Sequence, residues 1–143
     1  MFHPTPWHFW PVLTIALIWH LFGVIDYSAT QLDLAFWMSM ATDTQRQFIS
    51  TMPDWVDAVW AVSVWAGLAG VLLMAFRTGF APLILAASFL ATLVLTLWLA
   101  ISADPSLVQL VGPVGVWVMV GATVLSLILW LWARAMHQEG VID

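Results

Sequence analysis

Few side chains in this 143-residue sequence are able to do chemistry, and what is missing narrows the field further. There is no Cys, which excludes disulfides, thiolate catalysis, Cys-ligated zinc and iron–sulfur clusters. The only basic side chains besides histidine are Arg46, Arg77 and Arg134; with no Lys, Schiff-base chemistry on a retinal or pyridoxal group is excluded too. Among the groups that remain, His20 stands out because it lies inside a long apolar run, and an ionisable side chain at membrane depth marks a functional position. It could ligate a tetrapyrrole metal, relay a proton or hydrogen-bond a ligand. The structural alternative is a neutral imidazole bonded to a Ser, a Thr or a carbonyl of a neighbouring helix. A bis-histidine haem is poorly served. His3, His8 and His137 gather near one interface, and His8 lies roughly 18 Å from His20 along a helix.

The carboxylates form the second set. Asp54 and Asp57 share a helix face at i, i+3, and Asp26 ends the first apolar run at a similar level. Together they could hold a divalent cation or attract a cationic solute. Alternatively, Asp54 and Asp57 merely complement a positive helix end, with Arg46 pairing to one of them. Asp26 is nearest the hydrocarbon boundary and is the candidate for proton coupling.

The elements that position these groups follow from composition. Hydrophobic residues make up 63% and charged residues 8%, against roughly 45–50% and about 25% in soluble domains. Such a chain is an integral membrane protein. Four runs reach the length of about 20 apolar residues that a spanning helix needs, at about 10–29, 54–76, 81–102 and 113–136. The expectation is an all-α, single-domain bundle of four transmembrane helices over residues 1–143, in contact with the lipid bilayer. The first span carries no basic flank and is read as a retained helix rather than a signal peptide. Pro11, Pro53, Pro82 and Pro113 sit near span starts, where a missing N–H costs little. Thr51 with Asp54 offers a cap, Gly79 a tight turn between spans two and three, and Gly112 a break before span four. Residues 30–53 form the one sizeable segment outside the membrane. Leu34, Trp37, Met38 and Ala41 share one helical face there and Phe48, Ile49 and Met52 another, predicting two short amphipathic pieces on the outer surface. Arg77 and Arg134 on the side of the termini, against Arg46 on the other, favour cytoplasmic termini. With a net charge of −5, nucleic acid is not an expected partner.

Small residues recur at helical spacing. Ser63, Gly67 and Gly70 line span two, and Ser88, Thr92 and Thr96 line span three. Such stripes let helices approach closely, which is what holds them together in lipid, although a hydroxyl stripe also suits a polar path. Eleven Trp residues are many for this length. Trp7, Trp10, Trp130 and Trp132 fit an inner aromatic belt and Trp37, Trp55, Trp98 and Trp117 an outer one. Trp19, Trp60 and Trp65 lie deeper, where they either line a pocket for a flat or lipid-like ligand or fill the core.

The stretch Trp19 to Tyr27 (WHLFGVIDY) resembles an uncharacterised group of small four-span proteobacterial inner-membrane proteins, some labelled sugar transporters. So does the pattern Gln45-Arg46, Pro53, Trp55, Ala58, Ala61, Gly67, Gly70, Leu73, Arg77, Ala81 and Ser88. The likeness covers roughly residues 15–90; more loosely, in size and layout, the chain is similar to DoxX-like proteins. In that group Asn is common at the position of His20. Ala16, four residues before His20, is similar to the spacing in pigment-ligating helices of light-harvesting proteins. The resemblance implies a bacterial inner-membrane location and four helices, and it leaves the cofactor unknown.

Two functional classes follow. One is a non-catalytic accessory or structural subunit of a larger membrane complex, or a bundle that binds a lipid, quinone or pigment through His20, Trp19, Trp60 and Trp65. The other is a small-solute, sugar-like carrier using Asp26 and His20, which would need to oligomerise because four helices enclose little aqueous volume. No nucleophile–base pair, metal cluster or phosphate loop is apparent, so an enzyme is the least expected class.

Overall fold

In lipid every backbone polar group must be satisfied within the chain, and the apolar runs do this as helices. A computed structural model of the chain describes residues 4–143, and no strand occurs among them. In order the elements are α1 (Phe9–Gln31), α2 (Ala35–Met38), α3 (Asp43–Thr51), α4 (Asp54–Ala75), α5 (Ala81–Ile101) and α6 (Leu107–Gln138). The helices α1, α4, α5 and α6 are each long and apolar enough to cross a membrane. The protein is thus an all-α membrane bundle, with α2 and α3 as the two short pieces expected between the first two spans. Within α6, Gly112 takes φ 68° and interrupts the helical backbone just before Pro113. Glycine suits this position because it adopts positive φ without a steric cost.

Consecutive spans pack side by side: α1 against α4, α4 against α5 and α5 against α6. No comparable approach joins α6 back to α1, so the ring of four is left open along one seam. The two helices meet at the end of the bundle that carries the termini, where the Phe9 and Trp132 rings lie 5.5 Å apart. Exposed apolar side chains cover the outside, among them Val114, Trp117 and Ile128 on α6. That surface is suited to hydrocarbon, not water.

The core is densest at the terminal end. Phe9, Val71, Met74, Ala81, Ala133 and Ile142 are fully or almost fully buried there. Val141 and Ile142 reach it because Gly140, at φ 69°, turns the chain back under the bundle. The Asp143 N–H then donates to the Arg77 carbonyl at 2.9 Å. Gly79 lies in the tight turn between α4 and α5, as expected, and the left-handed residue of that turn is Arg77 (φ 57°). Gly79 is needed for space, since a Cβ there would lie 2.9 Å from the Asp143 backbone. One local expectation is corrected: Thr51 does not cap α4, since its hydroxyl donates to the Gln47 carbonyl at 3.0 Å and finishes α3, and Pro53 precedes α4 with no side-chain cap. α3 has a cap of its own, in which Thr42 and Gln45 each bond the other's backbone N–H.

The docked tail makes a testable contribution. Ile142→Ala should lower stability by about 2–5 kcal/mol, read as a fall in the thermal unfolding midpoint of the detergent-solubilised protein. An unchanged midpoint would mean that the tail is not part of the folded core.

Candidate functional site

His20 sits on the face of α1 that meets α4 and is 7% exposed. Its seat exists because residue 67 has no side chain: a Cβ on Gly67 would lie 2.2 Å from the ring's Nδ1 and Cε1 and 2.9 Å from Ser88 Oγ. Ser88, from α5, donates to the Ser63 carbonyl of α4 at 2.6 Å. His20, Ser63, Gly67 and Ser88 therefore form one node where three helices converge. Gly70 plays the parallel role for Leu85, whose side chain would meet a Cβ at 2.6 Å. The remaining hydroxyls of the α5 stripe are engaged as well. Thr92 donates to the Ser88 carbonyl at 2.8 Å, and Thr96 shares a 3.0 Å hydrogen bond with Thr123 of α6.

The expected partner for the imidazole is not there. The Ser88 hydroxyl at this node gives its proton to the Ser63 carbonyl, and His20 hydrogen-bonds to none of the described residues. The ring instead borders an elongated cleft of about 340 Å³ along the open α1–α6 seam. Ala16 and Trp19 from α1 line it beside His20, with Ser126, Leu129 and Trp132 from α6 opposite. The walls are apolar apart from His20, His8 and Ser126, and the Ser126 hydroxyl is turned to the Thr123 carbonyl at 2.9 Å. Trp132 packs on Phe9 and on His8, and its Nε1 is buried without a hydrogen-bond partner among the described residues.

A second cavity, of about 350 Å³, lies at the opposite end of the bundle under α2 and α3. Asp26 and Thr30 from α1, Trp37 from α2, Gln45 and Phe48 from α3 and Trp60 from α4 contribute to its wall. Trp37 Nε1 donates to Asp26 Oδ1 at 2.9 Å, fastening α2 to α1. Gln45 donates to the Leu110 carbonyl at 2.9 Å, fastening α3 to the turn before Gly112. Trp60 meets Tyr27 edge to face at 5.0 Å.

The candidate residues thus divide between two places. Trp19 and His20 belong to the seam cleft, whereas Asp26 and Trp60 belong to the distal cavity. Trp65 is 49% exposed and borders neither. The three carboxylates do not converge. Asp57 accepts from Gln31 at 2.5 Å and from the Tyr27 hydroxyl at 3.4 Å, while Asp26 is bonded to Trp37. Among the described residues no group of three or more His, Asp or Glu could hold a metal ion. Arg46 pairs with Asp43, one turn away on its own helix, and with the carbonyls of Met38 and Ala41; it reaches neither Asp54 nor Asp57. His137 Nδ1 is 3.2 Å from the Ile142 carbonyl, and His3 lies outside the described residues.

Of the aromatic belts, Trp55 and Trp98 pair at 5.6 Å with Phe48 beside them, and Trp130 stacks on Phe89 at 5.6 Å. Trp37 as the partner of Asp26 was not anticipated, although its place on the apolar face of the outer segment was the available signal. No protein-family model, curated protein or solved structure matches the chain. Function must therefore be argued from these two sites.

The node predicts a specific coupling. Gly67→Ala should cost about 1–3 kcal/mol through overpacking, and most of that cost should vanish in a His20→Ala background, where the ring is absent. Thermal unfolding of the single and double variants tests this; equal costs in both backgrounds would contradict the contact.

Proposed function

We propose that this protein is a non-catalytic component of a bacterial inner membrane whose α1–α6 seam holds a lipophilic molecule, a lipid, quinone or pigment, or the apolar surface of a larger complex it serves as accessory subunit. The observation that carries this reading is His20: 7% exposed, hydrogen-bonded to none of the described residues, and bordering an apolar cleft between α1 and α6. A polar group left unpaired in apolar surroundings is costly; the atom on this cleft that is fully buried and unpaired among the described residues is Trp132 Nε1. A carbonyl or hydroxyl of a bound molecule, or a metal at the centre of a flat pigment, would remove that cost. Trp19 supplies an aromatic wall beside His20. The inner-membrane location rests on the resemblance of residues 15–90, and cytoplasmic termini on the pairing of Arg77 and Arg134 at the terminal end.

The alternative, a small-solute carrier using Asp26 and His20, draws on the distal cavity. The two residues are six apart on α1 and so point about 120° from each other, and they border different cavities.

Protein purified in mild detergent from its native membrane should carry either a lipophile or a partner polypeptide in fixed ratio. His20→Phe should weaken that association at least about tenfold, or roughly 1.4 kcal/mol, as measured by particle mass and by mass spectrometry of the organic extract. A lone monomer or small homo-oligomer carrying neither would overturn the reading and bring the carrier forward.

A further inference from the structure

The distal cavity has a chemistry of its own. Among the side chains that border it, Asp26 is the single charged one. It is half-buried, and its bond from Trp37 uses Oδ1 and leaves Oδ2 without a partner among the described residues. Among the described residues no cationic side chain pairs with it. Arg46, the arginine of this end, is held by Asp43 and by two backbone carbonyls. Trp37, Trp60 and Phe48 line the same cavity, and aromatic rings attract cations over their faces. The same end of the bundle carries Asp33, Asp43, Asp54, Asp57 and Asp104, so the field over its mouth draws positive charge inward.

We infer that this cavity is a binding site for a small organic cation with an apolar body, such as an aromatic or alkyl ammonium compound, with Asp26 as counter-ion and Trp37, Trp60 and Phe48 as aromatic walls. A volume of about 350 Å³ falls within the usual range for small-molecule sites, about 300–1,000 Å³. The lining decides against a sugar. Only Asp26, Thr30 and Gln45 offer side-chain hydrogen-bonding groups beyond the tryptophan N–H groups, and Gln45 already donates to Leu110. A solute covered in hydroxyls would leave most of them unpaired against apolar walls. A cation with an apolar body needs one carboxylate and hydrophobic surroundings, which is what the cavity supplies. This site shares no residue with the α1–α6 cleft, so it stands or falls independently of the seam.

The test is calorimetric titration of the full chain, in phosphatidylcholine nanodiscs, with benzyltrimethylammonium, benzyl alcohol and glucose. The cation should bind saturably at one per chain, whereas the two neutral compounds should not. Asp26→Asn should weaken cation binding at least about tenfold, with Asp57→Asn leaving it unchanged. Absence of saturable cation binding to the unsubstituted chain would overturn the inference, as would equal binding of benzyl alcohol. Undiminished affinity in Asp26→Asn would do the same, and glucose binding that depends on Asp26 would assign the cavity to a hydroxylated solute instead. If Asp26→Asn does not fold, the comparison of cation with neutral ring on the unsubstituted chain decides.

Discussion

The seat of His20 against Gly67 is the contact on which the rest of the arrangement depends. In hydrocarbon there is no hydrophobic force to press helices together, so association relies on close packing and on hydrogen bonds between helices. Here a ring from α1 enters the space left by a missing side chain on α4, and a hydroxyl from α5 closes the same node by bonding α4. Three spans are thereby fixed to one another at mid-depth. The fourth, α6, is held by α5 through Thr96 and Thr123 and by the aromatic contacts at the terminal end. It has no comparable partner on its other side, and the seam follows from that imbalance.

An open seam in water would collapse or recruit another chain, because exposed apolar surface is costly there. In a bilayer the surrounding acyl chains solvate it at little cost, and a cleft bordered by Ala16, Trp19 and Leu129 can persist. What lipid tails cannot do is hydrogen-bond an imidazole. The mismatch between an apolar groove and the polar atoms of His20 and Trp132 that find no partner among the described residues is the physical ground for the proposed ligand or partner. The distal cavity works by the opposite logic. Its carboxylate is unbalanced in charge rather than unpaired in hydrogen bonding, and it lies under a roof of two short helices instead of facing lipid.

Much of the fold was legible because the bilayer sets the rules so narrowly. Length and hydropathy alone placed four spans, and the break at Gly112 before Pro113 was readable from residue type. The face formed by Trp37, Met38 and Ala41 marked the short helix over the distal cavity. Harder to read was anything that depends on which helices touch. His20 and Gly67 were each singled out, one as a candidate ligand and the other as a packing residue, but their contact is a tertiary fact with no local signature. The same holds for Asp26. Its level along the span was clear, but its bond to Trp37 requires the outer segment to fold back over the bundle. The turn after α4 was legible from Gly79, but not that the returning tail passes against it or that Arg77 takes the left-handed conformation.

The division of Asp26 and His20 between two cavities also bears on how the molecule is used. One site is lateral and dry, reachable from within the membrane; the other lies at the distal end beneath acidic loops. The central claim, that the seam is a binding surface organised around His20, is tested most directly by an electron-density map of the protein purified from its native membrane. The account predicts density between α1 and α6 within hydrogen-bonding or coordination distance of the His20 ring, continuous with a lipophile or a neighbouring subunit. A map in which α1 and α6 pack directly on each other, or in which His20 is bonded to a group of its own chain, would contradict it.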